Sequence, residues 1–288
     1  TLQPLRRFDI DAAIIFADIL TPLISLGVGL DFVDGEGPKL QVRKDQSGGP
    51  ILCETGEPVA PFTCDALRLV RKELRGSSRA LIGFCGAPFT SAAYLIEDSI
   101  GSRKELAKTR AFMRANPNGW RAVQDLLASH LSRYLLEQVD AGAQALQIFD
   151  SWVGALSPWE FRELILPAVE KLVSNVRSVS AVPIIYFGLG NHGHFSSLSN
   201  LDVNCIGVDW TLKMSEARNL LGKKLTLQGN LDPTLLLPGN DRSIIETTRD
   251  ILHDADNLPA FIFNVGHGLQ PTSQIPAIER VIETVRSY

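Results

Sequence analysis

Seven short apolar runs punctuate this chain, and each leads into a small or polar residue. They are Ala13–Phe16 before Asp18, Ala80–Phe84 before Gly86, Ala145–Phe149 before Asp150, Val182–Phe187 before Gly188, Cys205–Val208 before Asp209, Leu225–Leu227 before Gly229, and Phe261–Val265 before His267. Continuous runs of this length suit strands buried on both faces. Helical periodicity separates most of them, and that alternation specifies an α/β fold around a parallel sheet. The expected architecture is a (β/α)8 TIM-like barrel with seven visible strands. The chain opens on Thr1, and the eighth strand, with its βα unit, is expected upstream. Such barrels carry their chemistry at the C-terminal strand ends. Asp18, Asp150, Ser151, Asp209, Asn230, Asn264 and His267 therefore become candidates together.

A chain of 288 residues fits one barrel domain spanning 1–288. The net charge is −4, from 28 basic and 32 acidic side chains. That balance gives no reason to expect nucleic acid or an anionic membrane as partner. No apolar stretch approaches the ~20 residues of a membrane span. Of the four cysteines, Cys85 and Cys205 sit inside apolar runs and read as small core residues in a reducing compartment. Cys53 and Cys64 have no zinc-ligand spacing.

Residues 37–61 are rich in Gly and Pro and read as a long surface loop over one barrel end. Helices are expected over 63–75, 119–140, 212–221, 241–254 and 273–286. In the second of these, Val123, Leu126, Leu127, Leu131, Tyr134, Leu135 and Val139 form one apolar face, and Gly142 follows as a C-terminal cap. Ser157-Pro158-Trp159-Glu160 is a helix start, with Ser capping and Glu reaching back.

Each candidate has two readings. Asp18 either caps the segment that follows or holds a fixed negative charge that stabilises developing positive charge in a pocket. The glycines of Gly83-Phe84-Cys85-Gly86 permit close backbone approach to a ligand or a tight turn. Tyr94, a helical turn past Thr90, is a rim or core tyrosine or a ligand contact. Ser151 beside Asp150 suggests a nucleophile only with a His in reach. No Gly-x-Ser-x-Gly elbow is present, so a ligand hydrogen bond is the better reading. His192 and His194, on a Gly-rich loop, read as surface residues rather than a metal pair. Asp209, Asn230 and Asp232 either orient site residues or cap helices. Glycines flank His267 and leave its ring room at the barrel mouth.

These segments together resemble uroporphyrinogen decarboxylase. The matching stretches are Thr1–Phe8, Asp11–Leu20, Gly83–Thr90 with Tyr94 and Glu97, Gly142–Ser151, Val208–Thr211, Leu227–Pro233 and Asn264–Leu269. They run in family order over essentially the whole chain. The resemblance implies a distorted (β/α)8 barrel, a homodimer, and a cytoplasmic, cofactor-free and metal-free enzyme of heme biosynthesis. Its substrate would be uroporphyrinogen, whose four acetate carboxyls leave as CO2 to give coproporphyrinogen. Each step would protonate a pyrrole carbon, release CO2 from an iminium-like intermediate and protonate the product. Asp18 matches the central aspartate, which accepts the pyrrole N–H groups and stabilises the cationic intermediate. Tyr94, Ser151 and His267 match residues that contact substrate side chains or line the cleft.

Two departures accompany the resemblance. The family's Arg-Gln-Ala-Gly-Arg segment, which grips substrate carboxylates, is absent from residues 1–288; it belongs to the βα unit expected upstream. Glu97-Asp98-Ser99-Ile100 replaces a usual Glu-Gly-Gly, so a different turn is expected after Tyr94. Two other readings compete. A zinc-dependent methyltransferase of the same superfamily needs a His-x-Cys pair, where this chain has Gly188-Leu-Gly-Asn-His192. A non-catalytic fragment would leave a sheet edge and an apolar core open.

Overall fold

The computed structural model describes residues 1–288 except 34–36, 98–104, 240, 257 and 259. Helix α1 (Leu2–Arg7) leads into β1 (Ala12–Ile14), and a hairpin of β2 (Gly29–Val33) and β3 (Gly37–Gln41) follows. Then come α2 (Pro61–Glu73), β4 (Ala80–Gly86), α3 (Pro88–Glu97), α4 (Ala107–Ala115), α5 (Pro117–Asp140) and β5 (Ala145–Asp150). The chain continues through α6 (Pro158–Glu160), α7 (Leu166–Arg177), β6 (Ile184–Gly188), α8 (Phe195–Leu198) and β7 (Cys205–Gly207). It ends with α9 (Met214–Leu221), β8 (Thr226–Leu231), α10 (Asp241–Ala255), β9 (Phe261–Val265) and α11 (Ile275–Ser287).

Seven strands form one parallel sheet in the order β1-β4-β5-β6-β7-β8-β9. Every apolar run named from the sequence supplies one of them. Helices alternate with the strands, so the sheet is an open barrel of α/β class with β1 and β9 at its two edges. Among the described residues no helix is long and apolar enough to cross a membrane.

Two parts of the expected loop over 37–61 are otherwise. Gly37–Gln41 is a strand, antiparallel to β2 with Gly29 opposite Gln41, and α2 already begins at Pro61. Helix α4 was not expected either. Phe112 and Met113 are its only large apolar side chains, too few to announce a period.

Helix α5 follows its sequence closely. Asn116 caps it by accepting the Gly119 N–H at 2.9 Å, and Pro117 takes the first turn. Leu127, Leu131, Tyr134 and Leu135 are buried, and Val123, Leu126 and Val139 pack beside them. At the next helix start the capping box is complete. The Glu160 N–H donates to Ser157 Oγ at 3.2 Å, and the Ser157 N–H donates to Glu160 Oε2 at 3.0 Å. Burial pushes the Glu160 carboxyl up, but hydrogen bonds from Ser157, Arg114 and Arg110 outweigh it and hold the group at about 2.

The main core lies between the sheet and its helices and includes Leu81, Leu146, Ile184, Ile206 and Leu227. A separate small cluster of Leu231, Leu236, Ile244, Ala277 and Val281 sits under α10 and α11. The first and last elements are tied by charge. Arg286 of α11 donates to the Asp9 carbonyl at 3.0 Å and to Asp11 Oδ1 at 2.7 Å, and Arg7 lies 3.5 Å from Glu279. Cys85 and Cys205 are buried in the core as expected, while Cys53 is exposed.

Candidate active site

Side chains alternate between the two faces of a strand, and here the alternation sorts the C-terminal ends of β4, β5 and β6 into two rows. Phe84, Phe149 and Phe187 form one row. Their rings meet edge to face at 5.7 Å and 6.2 Å, a favoured aromatic geometry. The row extends to His267, whose ring lies 6.2 Å from Phe187. Cys85, Asp150 and Tyr186 form the other row, toward the helices. Ser151 follows Asp150 in the turn that leaves β5.

Asp18 lies beyond the end of β1, which stops at Ile14 rather than at Phe16. Its Oδ1 accepts the Leu20 N–H at 2.8 Å, and its carbonyl accepts the Thr21 hydroxyl at 2.9 Å. The N-cap of the tight turn Thr21–Leu26 is Leu20, with no side-chain cap, so Asp18 braces the approach to that turn rather than capping it. The residue also stays half-buried, and its charge is felt at Tyr94. Burial pushes the Tyr94 hydroxyl up, and the charge of Asp18 adds to that rise. The Tyr94 and Trp152 rings meet edge to face at 6.0 Å. Tyr94 of α3 and Trp152 of the turn after β5 thus meet, within reach of the Asp18 charge.

His267 is exposed at the other side of the mouth, 6.4 Å from the Trp210 ring. The glycine before it serves backbone approach more than ring clearance. A Cβ on Gly266 would lie 2.7 Å from the Trp210 nitrogen. Gly83 likewise makes room for protein, not ligand. A Cβ there would meet Gln138 Oε1 at 2.7 Å. That amide pairs with both the N–H and the carbonyl of Phe84, at 2.9 and 2.8 Å.

The remaining strand-end candidates brace loops. Asp209 accepts the Gly190 N–H at 2.6 Å and the Thr211 N–H at 2.9 Å. Asn230 donates to the carbonyls of Asp209 and Leu212 at 2.9 and 2.6 Å. Asp232 caps its own turn through the Thr234 N–H at 2.8 Å, and Asn264 accepts the Val265 N–H at 2.9 Å. His194 is buried against Phe161, not exposed as its loop suggested, and its Nε2 meets the Val153 carbonyl at 3.1 Å. His192 lies near Thr211 instead. Among the described residues no three His, Cys, Asp or Glu are grouped to hold a metal ion. Glu97 accepts the Thr109 N–H and hydroxyl, both at 2.8 Å. The Asp98-Ser99-Ile100 turn lies outside the described residues.

One arrangement resembles a nucleophilic triad by distance. Ser25 Oγ lies 3.1 Å from His130 Nε2, and His130 Nδ1 lies 3.6 Å from Glu54. Nε2 is also 2.8 Å from the Pro22 carbonyl, an acceptor that calls for a proton on that nitrogen. A protonated Nε2 cannot take the serine proton. Burial also keeps this histidine neutral by lowering its pKa. The cluster pins a loop to α5.

Sequence reasoning did not single out the aromatic row, Trp152 or Trp210 as parts of the mouth. The available signal was a phenylalanine at the last position of three successive runs, Phe84, Phe149 and Phe187.

The uroporphyrinogen decarboxylase (URO-D) family matches residues 1–288. The chain is 41% identical over 295 residues to a protein named uroporphyrinogen decarboxylase from Roseiflexus sp. (strain RS-1), covering all of this chain and 83% of that protein. It is 40% identical over 290 residues to one of the same name from Streptomyces coelicolor, covering 79% of it. Among solved structures, a methyltransferase from Methanosarcina mazei superposes with a TM-score of 0.72 at 17% identity, over 99% of this chain and 83% of that one. A B12-independent methionine synthase from Shewanella sp. W3-18-1 gives 0.58 at 15% identity, over 99% and 85%. The structural likenesses speak to fold alone, whereas the sequence relationship runs end to end through every strand of the sheet: the chain belongs to the uroporphyrinogen decarboxylase family.

Proposed function

We propose that this chain decarboxylates uroporphyrinogen, converting its four acetate groups to methyl groups with release of four CO2. The observation that carries this reading is membership of the family over residues 1–288, with a half-buried Asp18 just beyond the end of β1 at the mouth. A fixed anion beside an apolar aromatic surface stabilises a cationic ring intermediate better than water does, because it needs no reorganisation. Asp18 accepts the pyrrole N–H groups and holds the ring while a ring carbon is protonated and CO2 departs. Tyr94, Ser151 and His267 contact the substrate's side chains from two sides of the mouth. The apolar pyrrole faces of the macrocycle suit the Phe84-Phe149-Phe187 row. The chain acts as one domain over 1–288, without cofactor or metal, in the cytoplasm and as a homodimer.

The decisive assay is anaerobic, with uroporphyrinogen supplied and coproporphyrinogen separated chromatographically after oxidation. Asp18→Ala is expected to abolish turnover while the circular dichroism and melting of the protein stay those of the parent. Undiminished turnover by that variant overturns the role of Asp18. Sedimentation of the purified protein at micromolar concentration reads the dimer, and a monomer there overturns it.

A further inference from the structure

Asp150 is fully buried at the end of β5, in the wall behind the aromatic row. Burying a carboxyl is costly unless it is well partnered, and this one has a partner on each side. The Thr90 hydroxyl donates to Oδ1 at 2.7 Å, and the Tyr186 hydroxyl donates to Oδ2 at 2.8 Å. Thr90 belongs to the first turn of α3 and Tyr186 to β6. One carboxyl therefore ties three elements at the mouth.

What those elements carry makes the junction informative. Tyr94 lies four residues past Thr90 on α3, so the two share a helix face. Ser151 is the next residue after Asp150. A shift of the carboxyl, or a loosened bond to Thr90, would move both side chains relative to the aromatic row. We infer that Asp150 is a positioning residue for substrate, holding Tyr94 and Ser151 in register through its bonds to Thr90 and Tyr186. The inference rests on the proposed roles of Tyr94 and Ser151 as substrate contacts.

Titration supports the same geometry. Burial pushes the Asp150 carboxyl up to about 6, against the hydrogen bonds from Thr90 and Tyr186 that lower it. Among the described residues, the other titratable groups coupled to it are Cys85 of β4 and Tyr186, and burial pushes both well up. Neither changes charge near neutrality. Protonation of Asp150 removes an acceptor from one of its two donors and slackens the tie.

The test uses the full chain and uroporphyrinogen under anaerobic conditions, with kcat and KM measured separately. Asp150→Asn and Thr90→Val are each expected to lower kcat/KM by about ten- to a hundredfold, as misplacement of binding groups does. Thr90→Ser keeps the hydroxyl and should recover most of that loss. The Asp150→Asn and Ser151→Ala effects should combine to less than their product. The ratio of parent to Asp150→Asn activity should fall below pH 6, because only the parent titrates there while the substrate's carboxyls titrate alike in both. If Asp150→Asn does not fold, the Thr90 pair decides. Activity within twofold of the parent in Thr90→Val, or a Thr90→Ser as weak as Thr90→Val, overturns the inference. So does strict multiplication of the Asp150 and Ser151 effects. If Tyr94→Phe and Ser151→Ala themselves leave kcat/KM unchanged, the reading of the site fails instead, whatever Asp150 does.

Discussion

Strand β6 buries all five of its residues, whereas β9, just as apolar in sequence, leaves Ile262 44% exposed and Asn264 exposed as well. At the other flank, Ile14 of β1 is 39% exposed and Phe16 just beyond it 89%. The difference lies in position, not composition. Strand β6 has a hydrogen-bonded neighbour on each side, while β1 and β9 each have one. A continuous apolar run specifies a strand, and its place in the sheet decides how many of its faces are covered. The helix-facing side of β9 remains packed, since Phe263 and Val265 join the cluster under α10 and α11. The opposite side, with Ile262 and Asn264, is the one left uncovered.

The largest expected effect tests that contrast directly. Ile206→Ala, in the fully buried β7, should destabilise by about 3–4 kcal/mol through lost burial and an unfilled cavity. Ile262→Ala, the same change at the flank, should cost under ~1 kcal/mol. Urea unfolding midpoints measure both, and equal costs would break the comparison.

The next effect sharpens it, because central burial exacts a penalty of its own. Asp150 is raised from 3.8 to about 6 in the fold, so the folded state holds its proton more tightly than the unfolded chain. Its contribution is fully present below about pH 4 and is lost as pH rises through 6, a change of about 3 kcal/mol. Asp150→Asn should flatten that part of the stability profile between pH 4 and neutrality. Denaturant midpoints across this window would show it, and an unchanged slope would sink the assignment.

The smallest effect belongs to the flank again. Arg286→Met removes the contacts of α11 with Asp9 and Asp11, groups that stand in solvent. The expected loss is a slight fall in Tm that disappears in molar salt. A fall insensitive to salt would assign the stabilisation to packing instead.

All seven sheet strands were legible because buried parallel strands are written as uninterrupted apolar runs. The hairpin of β2 and β3 was not, since its Gly and Pro residues mimic an irregular loop and only the partner strand reveals the pairing. At the mouth, strand-end position nominated Asp18, Ser151 and His267. It could not separate them from Asp209 and Asn230, which occupy equivalent positions and brace loops. That distinction depends on which backbone groups approach, as the Gly190 N–H approaches Asp209. Asp150 closes β5 with its carboxyl buried against Thr90 and Tyr186, and Ser151 opens the turn that follows.

The tryptophans give the mouth an intrinsic optical signal. Of the four in the chain, Trp120 is sealed in the core and Trp159 stands on the outer surface. Trp152 touches Tyr94, and Trp210 lies beside His267. Indole emission depends on local polarity and on nearby ring and imidazolium groups. Replacing Trp159 with Phe would leave one constant background emitter and two reporters, one on each side of the opening. Occupancy and protonation there would then be readable in the unlabelled protein, with each side assigned by removing the other tryptophan.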